Sequence, residues 1–147
     1  MNGNIAIFWP MIVQGFLTLL VYVFVVTRRG AAVKAGEARR DAFRIPAGEP
    51  ATSAAAVRNL ANQFELPVLF YVVCLALYIT NGASWLAVVV AWIFAVSRLV
   101  HAAIHLGPNT IALRMPAFAV GVAAVAVLWI ILAVHVANIG AVLSPGA

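Results

Sequence analysis

Four apolar runs, each long enough to cross a bilayer, constrain this chain more than any other feature. Ile5–Thr27 carries no charge in 23 positions. A second run is continuous from Leu66 to Thr80 and reaches spanning length with Val57–Glu65. A third begins at Trp85 and continues through Arg98 to Leu106, and a fourth, Ile111–Asn138, is interrupted only by Arg114 and His135. A membrane helix needs roughly 20 mostly apolar residues. The runs do not alternate in short segments between turns, which excludes a transmembrane β-barrel. The chain therefore reads as all-α, a polytopic membrane four-helix bundle in one domain over 1–147. Its spans are expected over 5–27, 57–80, 84–106 and 111–138, with a loop over 28–56. The opening MNGNIAIFWP lacks the positive start of a cleavable signal peptide, so the first run is expected to stay as a span. Cys74, the single cysteine, lies deep in the second run and reads as a packing residue.

Charge is confined to one side of this bundle. All nine Lys and Arg residues fall between positions 28 and 114, six of them in the first loop. With four antiparallel spans, Arg58, Arg98 and Arg114 fall on the loop side, as do Glu37, Asp41, Glu49 and Glu65. The opposite side holds the N-terminus, the turn TNGAS and the tail NIGAVLSPGA, none with a charged side chain. The positive-inside rule places loop 28–56 in the cytoplasm and both termini on the non-cytoplasmic side, and Trp9, Tyr78 and Trp85 fit an aromatic belt there. The loop's basic residues suit contact with anionic lipid heads. Nucleic-acid binding is excluded as a function class, since no motif and no soluble domain is present to carry it. The first half of the loop is expected to form a short amphipathic helix broken by Pro46 and Pro50. Thr52 or Ser53 is expected to cap the second span.

The remaining polar residues fall into two stripes. At 100° per residue, Asn62 lies about 40° from Arg58, and Glu65 about 20° on the other side. On the third span, His101 and His105 lie about 60° and 20° from Arg98. Arg114 starts the fourth span at a similar depth. Charged groups facing lipid cost roughly 2.5–3.5 kcal/mol at mid-span, so the stripes are expected to face each other, with Arg98, Arg58 or an arginine of a neighbouring subunit beside Glu65. Such a network can simply fix helix register. Three arginines against one glutamate, however, leave an excess of positive charge, which points to a visiting anion; lipid phosphates completing a register network are the competing explanation.

His101 and His105 share one face and with Glu65 could hold a metal, but no fourth ligand is evident and the arginines would repel a cation. No metal is therefore expected. Haem would need facing histidines on two helices, and His135 lies near the far side as an interfacial residue. Pro67 frees the carbonyl of Gln63 and is expected to kink the second span. Pro116 falls in the first turns of the fourth span, and Gly121 suits close helix contact.

These residues carry a family resemblance. RNLANQFE sets Arg58, Asn62 and Glu65 in an R-x3-N-x2-E pattern, RLVHAAIH sets Arg98 and His101 in R-x2-H, and Arg114 follows thirteen residues later. With four spans and a basic first loop, the chain resembles the membrane-associated proteins in eicosanoid and glutathione metabolism, the MAPEG family, over nearly its whole length. The resemblance implies a homotrimer of four-helix bundles with glutathione, the co-substrate, bound between subunits near the cytoplasmic face. It implies that Arg58, Asn62, Glu65, His101 and His105 belong to the glutathione site. Arg98 would hold Glu65, Arg114 would be the catalytic arginine near the thiol, and Arg28 or Arg29 would reach the tripeptide. His105 stands where many prostaglandin-synthase members have tyrosine. Met115 and Phe118 stand where some members have polar or hydroxylated residues.

Two functions follow. One is a glutathione-dependent transferase or peroxidase acting on a hydrophobic small molecule or lipid that enters from the bilayer. The other is a non-catalytic membrane subunit that binds a lipid or partner protein through the same basic pocket. A small transporter fits less well, because no broken-helix repeat is present and the far side offers no polar path. Alanine richness and the short N-terminus point to a bacterial inner membrane.

Overall fold

The computed structural model describes residues 4–44 and 48–143, with side chains through Gly140. Among the described residues the secondary structure is entirely helical. A 3-10 turn over Ile5–Ile7 leads into α1, Phe8–Lys34. A second 3-10 turn, Arg40–Arg44, lies in the loop. Then follow α2 (Ala51–Asn62), α3 (Leu66–Ile79), α4 (Trp85–Leu106) and α5 (Ile111–Leu143). Four segments have the length and hydropathy to cross a membrane: Ile5–Lys34, Ala51–Ile79, Trp85–Leu106 and Ile111–Gly140. The all-helical bundle expected from the apolar runs is therefore present.

Local chemistry explains the helix ends. The Asn4 side chain accepts from the Ala6 amide at 3.0 Å and starts the first turn. Gly36, at φ 76°, ends α1 in a Schellman motif: Glu37 N–H donates to Ala32 O and Gly36 N–H to Val33 O. Asn81, at φ 62°, ends α3 the same way. Ser84 caps α4 by accepting from the Ala87 amide at 3.2 Å.

The structure corrects the sequence reading in three places. Residues 28–34 continue α1 instead of starting a separate amphipathic helix, since nothing breaks the helix before Gly36. The second span begins at Ala51, six residues earlier than expected, with Pro50 at the cap. Neither Thr52 nor Ser53 caps it; their hydroxyls donate to Glu37 and Glu49, both at 2.5 Å. The second span is also two helices, interrupted at Gln63–Glu65. Pro67 lacks the N–H that would carry α2 onward and sits in the first turn of α3, where proline is well tolerated. Pro46, expected to break the loop, lies outside the described residues.

α4 is the most buried of the four spans. Ala87, Ala91, Ala95 and Ala102 on it are buried and small enough for neighbours to approach closely. The main core joins α3, α4 and α5 around Phe70, Leu77, Phe94 and Leu128. Phe70 and Phe94 stack with centroids 4.1 Å apart. Gly121 of α5 lies against α4: a Cβ there would meet Ser97 Oγ at 2.9 Å.

A buried amide chain ties α1 to the broken helix. Gln14 Nε2 donates to Gln63 Oε1 at 2.8 Å, and Gln63 Nε2 donates to Asn59 Oδ1 at 2.8 Å. It holds the end of α2 where the backbone turns out of the helix. On the far side His135 does more than lie at an interface. Its Nε2 donates to Thr80 O at 2.9 Å, tying α5 to the α3–α4 turn.

Candidate functional site

α2, α4, α5 and the α4–α5 loop enclose a cavity of about 940 Å³ on the loop side of the bundle. Arg58, Asn62, Glu65, His101, His105 and Arg114 all line it. Six of the seven residues singled out from sequence thus share one space. The helical stripes explain why: α2 turns Arg58 and Asn62 toward α4, and α4 turns both histidines back. Glu65 reaches the cavity from the interruption, not from the helical stripe. Met115, Phe118, Val57 and alanines of α2 give the cavity an apolar wall.

Arg98, the seventh residue, is fully buried and stands behind the lining. Its expected ion pair with Glu65 does not form. Among the described residues the ion pairs are Arg29–Glu49 and Arg39–Asp41. Arg98 Nη2 instead donates to the carbonyl of Asn62 at 3.2 Å. The physical reason is the helix interruption, which leaves carbonyls at the end of α2 without an i+4 donor and exposes the Glu65 side chain at the chain surface. Among the described residues Arg98 Nε and Nη1 have no hydrogen-bond partner. The guanidinium carbon lies 5.9 Å from the Phe118 ring centroid, a loose cation–π contact.

His101 Nδ1 lies 3.3 Å from the carbonyl oxygen of Arg114. A carbonyl only accepts, so Nδ1 carries the hydrogen and Nε2 of the neutral ring is an acceptor. That Nε2 and His105 Nδ1 are both buried, and neither has a hydrogen-bond partner among the described residues. The two rings meet edge to face with centroids 5.6 Å apart.

Two residues of this region were not singled out in the sequence. Asn109, at φ 50° in the α4–α5 loop, accepts from Arg114 Nη1 at 2.6 Å and so orients that guanidinium. Only its proximity in sequence to Arg114 could have signalled this. Glu49 lines the rim, where Arg29 binds it through Nε at 3.1 and 3.2 Å and through Nη2 at 2.5 Å. The hydrogen bonds from Arg29, and a further one from Ser53, hold the Glu49 carboxyl below the usual range against the opposing effect of its partial burial. Arg29 also lies 4.9 Å over the Phe43 ring. It thus acts as a clamp between α1 and the loop, and Arg28 is exposed.

With Glu49 engaged by Arg29, the cavity region holds Arg58, Arg98 and Arg114 against Glu65. The excess positive charge read from the sequence is therefore gathered in one place. Such a site can bind carboxylates through guanidinium groups, pair an amine with Glu65, and stabilise an anion developing beside Arg114.

A family model described as the MAPEG family matches residues 6–134, which contain every residue of the cavity. No curated protein and no solved structure matches the chain. The family match takes in the charged stripes, the interruption and nearly all of the membrane-crossing sequence. The chain belongs to the MAPEG family.

Proposed function

We propose that this protein is a membrane-embedded, glutathione-dependent transferase or peroxidase acting on lipophilic electrophiles. The observation that carries the reading is the convergence of Arg58, Asn62, Glu65, His101, His105 and Arg114 on one cavity, with Arg98 behind it. Glutathione has two carboxylates, one amine and one thiol. Arg58 complements a carboxylate, Glu65 the amine, and Asn62 and His105 the amides, while Arg98 adds positive charge from behind the lining and fixes the Asn62 backbone. His101 Nε2 accepts one of its N–H groups.

Arg114 is the catalytic residue in this proposal. A free thiol near pKa 8.5 is mostly protonated at neutral pH. A guanidinium beside it favours the thiolate, and a shift of two units corresponds to about 2.7 kcal/mol. The thiol proton leaves to solvent. The thiolate then forms a C–S bond with the electrophilic carbon, whose leaving group departs with its electron pair. With a hydroperoxide, two glutathiones give the alcohol, water and the disulfide. The apolar wall of Val57, Met115 and Phe118 suits a co-substrate arriving from the bilayer.

The site is completed in a homotrimer. Arg58 and Glu65 are exposed in the single chain although they lie within the membrane-crossing segment Ala51–Ile79, and a neighbouring copy would cover them. The deciding experiment is turnover of a model electrophile by purified protein. Arg114→Ala is expected to lower it about 25-fold at pH 7, the loss of thiolate that a two-unit shift from about 8.5 implies, while the oligomer measured by native mass spectrometry persists. Absence of turnover in the wild-type protein, with lipid co-purifying, would favour the non-catalytic subunit.

A further inference from the structure

A second basic feature lies outside the arginine cavity. Arg29, Gly30, Val33, Lys34, Arg40 and Phe43 line a groove of about 270 Å³ between the end of α1 and the loop. The Arg29–Glu49 clamp, with Phe43 under Arg29, folds the loop back so that Arg40 faces α1. Lys34 and Arg40 are exposed, and neither forms an ion pair among the described residues. Of the nearby acids, Glu49 pairs with Arg29 and Asp41 with Arg39, while Glu37 accepts from the Thr52 hydroxyl and forms no ion pair with Lys34 or Arg40 among the described residues.

The position of the groove selects its ligand. The uncharged run of α1 ends at Thr27, so Gly30–Lys34 stand about one to two turns above the hydrocarbon edge, at headgroup height. Leu19, Tyr22 and Val26 fall within about 40° of Val33 around the helix. They are 61%, 45% and 69% exposed. An apolar stripe therefore runs up α1 directly into a basic groove. A free phosphate would use only the groove, whereas a phospholipid would use both parts.

We propose that this groove and stripe bind an anionic glycerophospholipid, with its phosphate between Lys34 and Arg40 and an acyl chain along Leu19, Tyr22 and Val26. The site is independent of what the arginine cavity holds. Each basic group near the surface strengthens attachment of an anionic lipid, and the groove adds two that form no ion pair among the described residues. The apolar stripe supplies what separates a lipid from a bare anion.

The test is native mass spectrometry of the full chain in micelles carrying phosphatidylglycerol or phosphatidylcholine. Wild-type protein is expected to retain phosphatidylglycerol in preference to phosphatidylcholine. Lys34→Gln with Arg40→Gln should weaken that retention about 30-fold. Arg28→Gln with Arg44→Gln removes the same charge from residues that neither line the groove nor form an ion pair among the described residues, and should weaken retention much less. Equal weakening by both double variants would overturn the site in favour of a diffuse surface field. No weakening by Lys34→Gln with Arg40→Gln, in protein of unchanged helicity, would overturn it too. Added inorganic phosphate in the millimolar range should not displace the lipid; full displacement would reduce the groove to an anion site and refute the acyl component.

Discussion

Asn109 holds a left-handed backbone at φ 50° and accepts the Arg114 guanidinium at 2.6 Å. The two roles can be separated. Asn109→Gly keeps the conformation, which glycine adopts freely, and deletes the amide. It should fold normally and lower turnover several-fold by releasing Arg114. Asn109→Asp would place a carboxylate against the guanidinium and offset its charge. The pH–rate profile should then show the apparent thiol pKa moving upward relative to wild type. An unchanged profile would remove Asn109 from the positioning of Arg114. At the rim, Arg29 holds the Glu49 carboxyl below its ordinary value of 4.5. A carboxylate depressed on folding stabilises the folded state above its unfolded value, and the gain is lost as pH falls through the lower folded value. Thermal unfolding in detergent should therefore show a loss of stability below about pH 4.5 that Glu49→Gln lacks. The stripe residues were legible because 3.6-residue periodicity fixes which side chains share a face. Asn109 was not, because a loop residue has no periodicity to betray its partner.

At the scale of elements, the second span shows where sequence reasoning stops. The apolar run from Leu66 and the stripe Arg58–Asn62–Glu65 describe one continuous helix. The chain instead ends α2 at Asn62 and restarts as α3 at Leu66. Pro67 marked the place, but whether proline kinks a helix or begins a new one depends on tertiary partners. Here those partners are the Gln14–Gln63–Asn59 amide chain and Arg98 on the Asn62 carbonyl. Neither is visible without knowing which helices are neighbours. The same interruption explains why Arg98 binds backbone in place of the Glu65 carboxylate. The close approach of α4 and α5 was anticipated at Gly121. Gly121→Ala places a methyl group 2.9 Å from Ser97 Oγ and should destabilise the bundle by about 1–3 kcal/mol. Adding Ser97→Ala removes the obstructing oxygen and should restore most of the loss in a detergent melting series.

At the scale of the whole molecule, apolar run length determines four crossings, and the charge asymmetry gathers the ionic chemistry at one end. Family membership rests on the match over residues 6–134, and the cavity lies wholly within it. Three arginines around one space are stable only while something offsets their mutual repulsion. Glu65 offers one negative charge, and an anionic ligand would supply the rest. The most direct measurement is calorimetric titration of detergent-solubilised protein with glutathione. A saturable binding heat is expected, weakened in Arg58→Ala with the oligomer intact. A flat titration at millimolar glutathione would contradict the account.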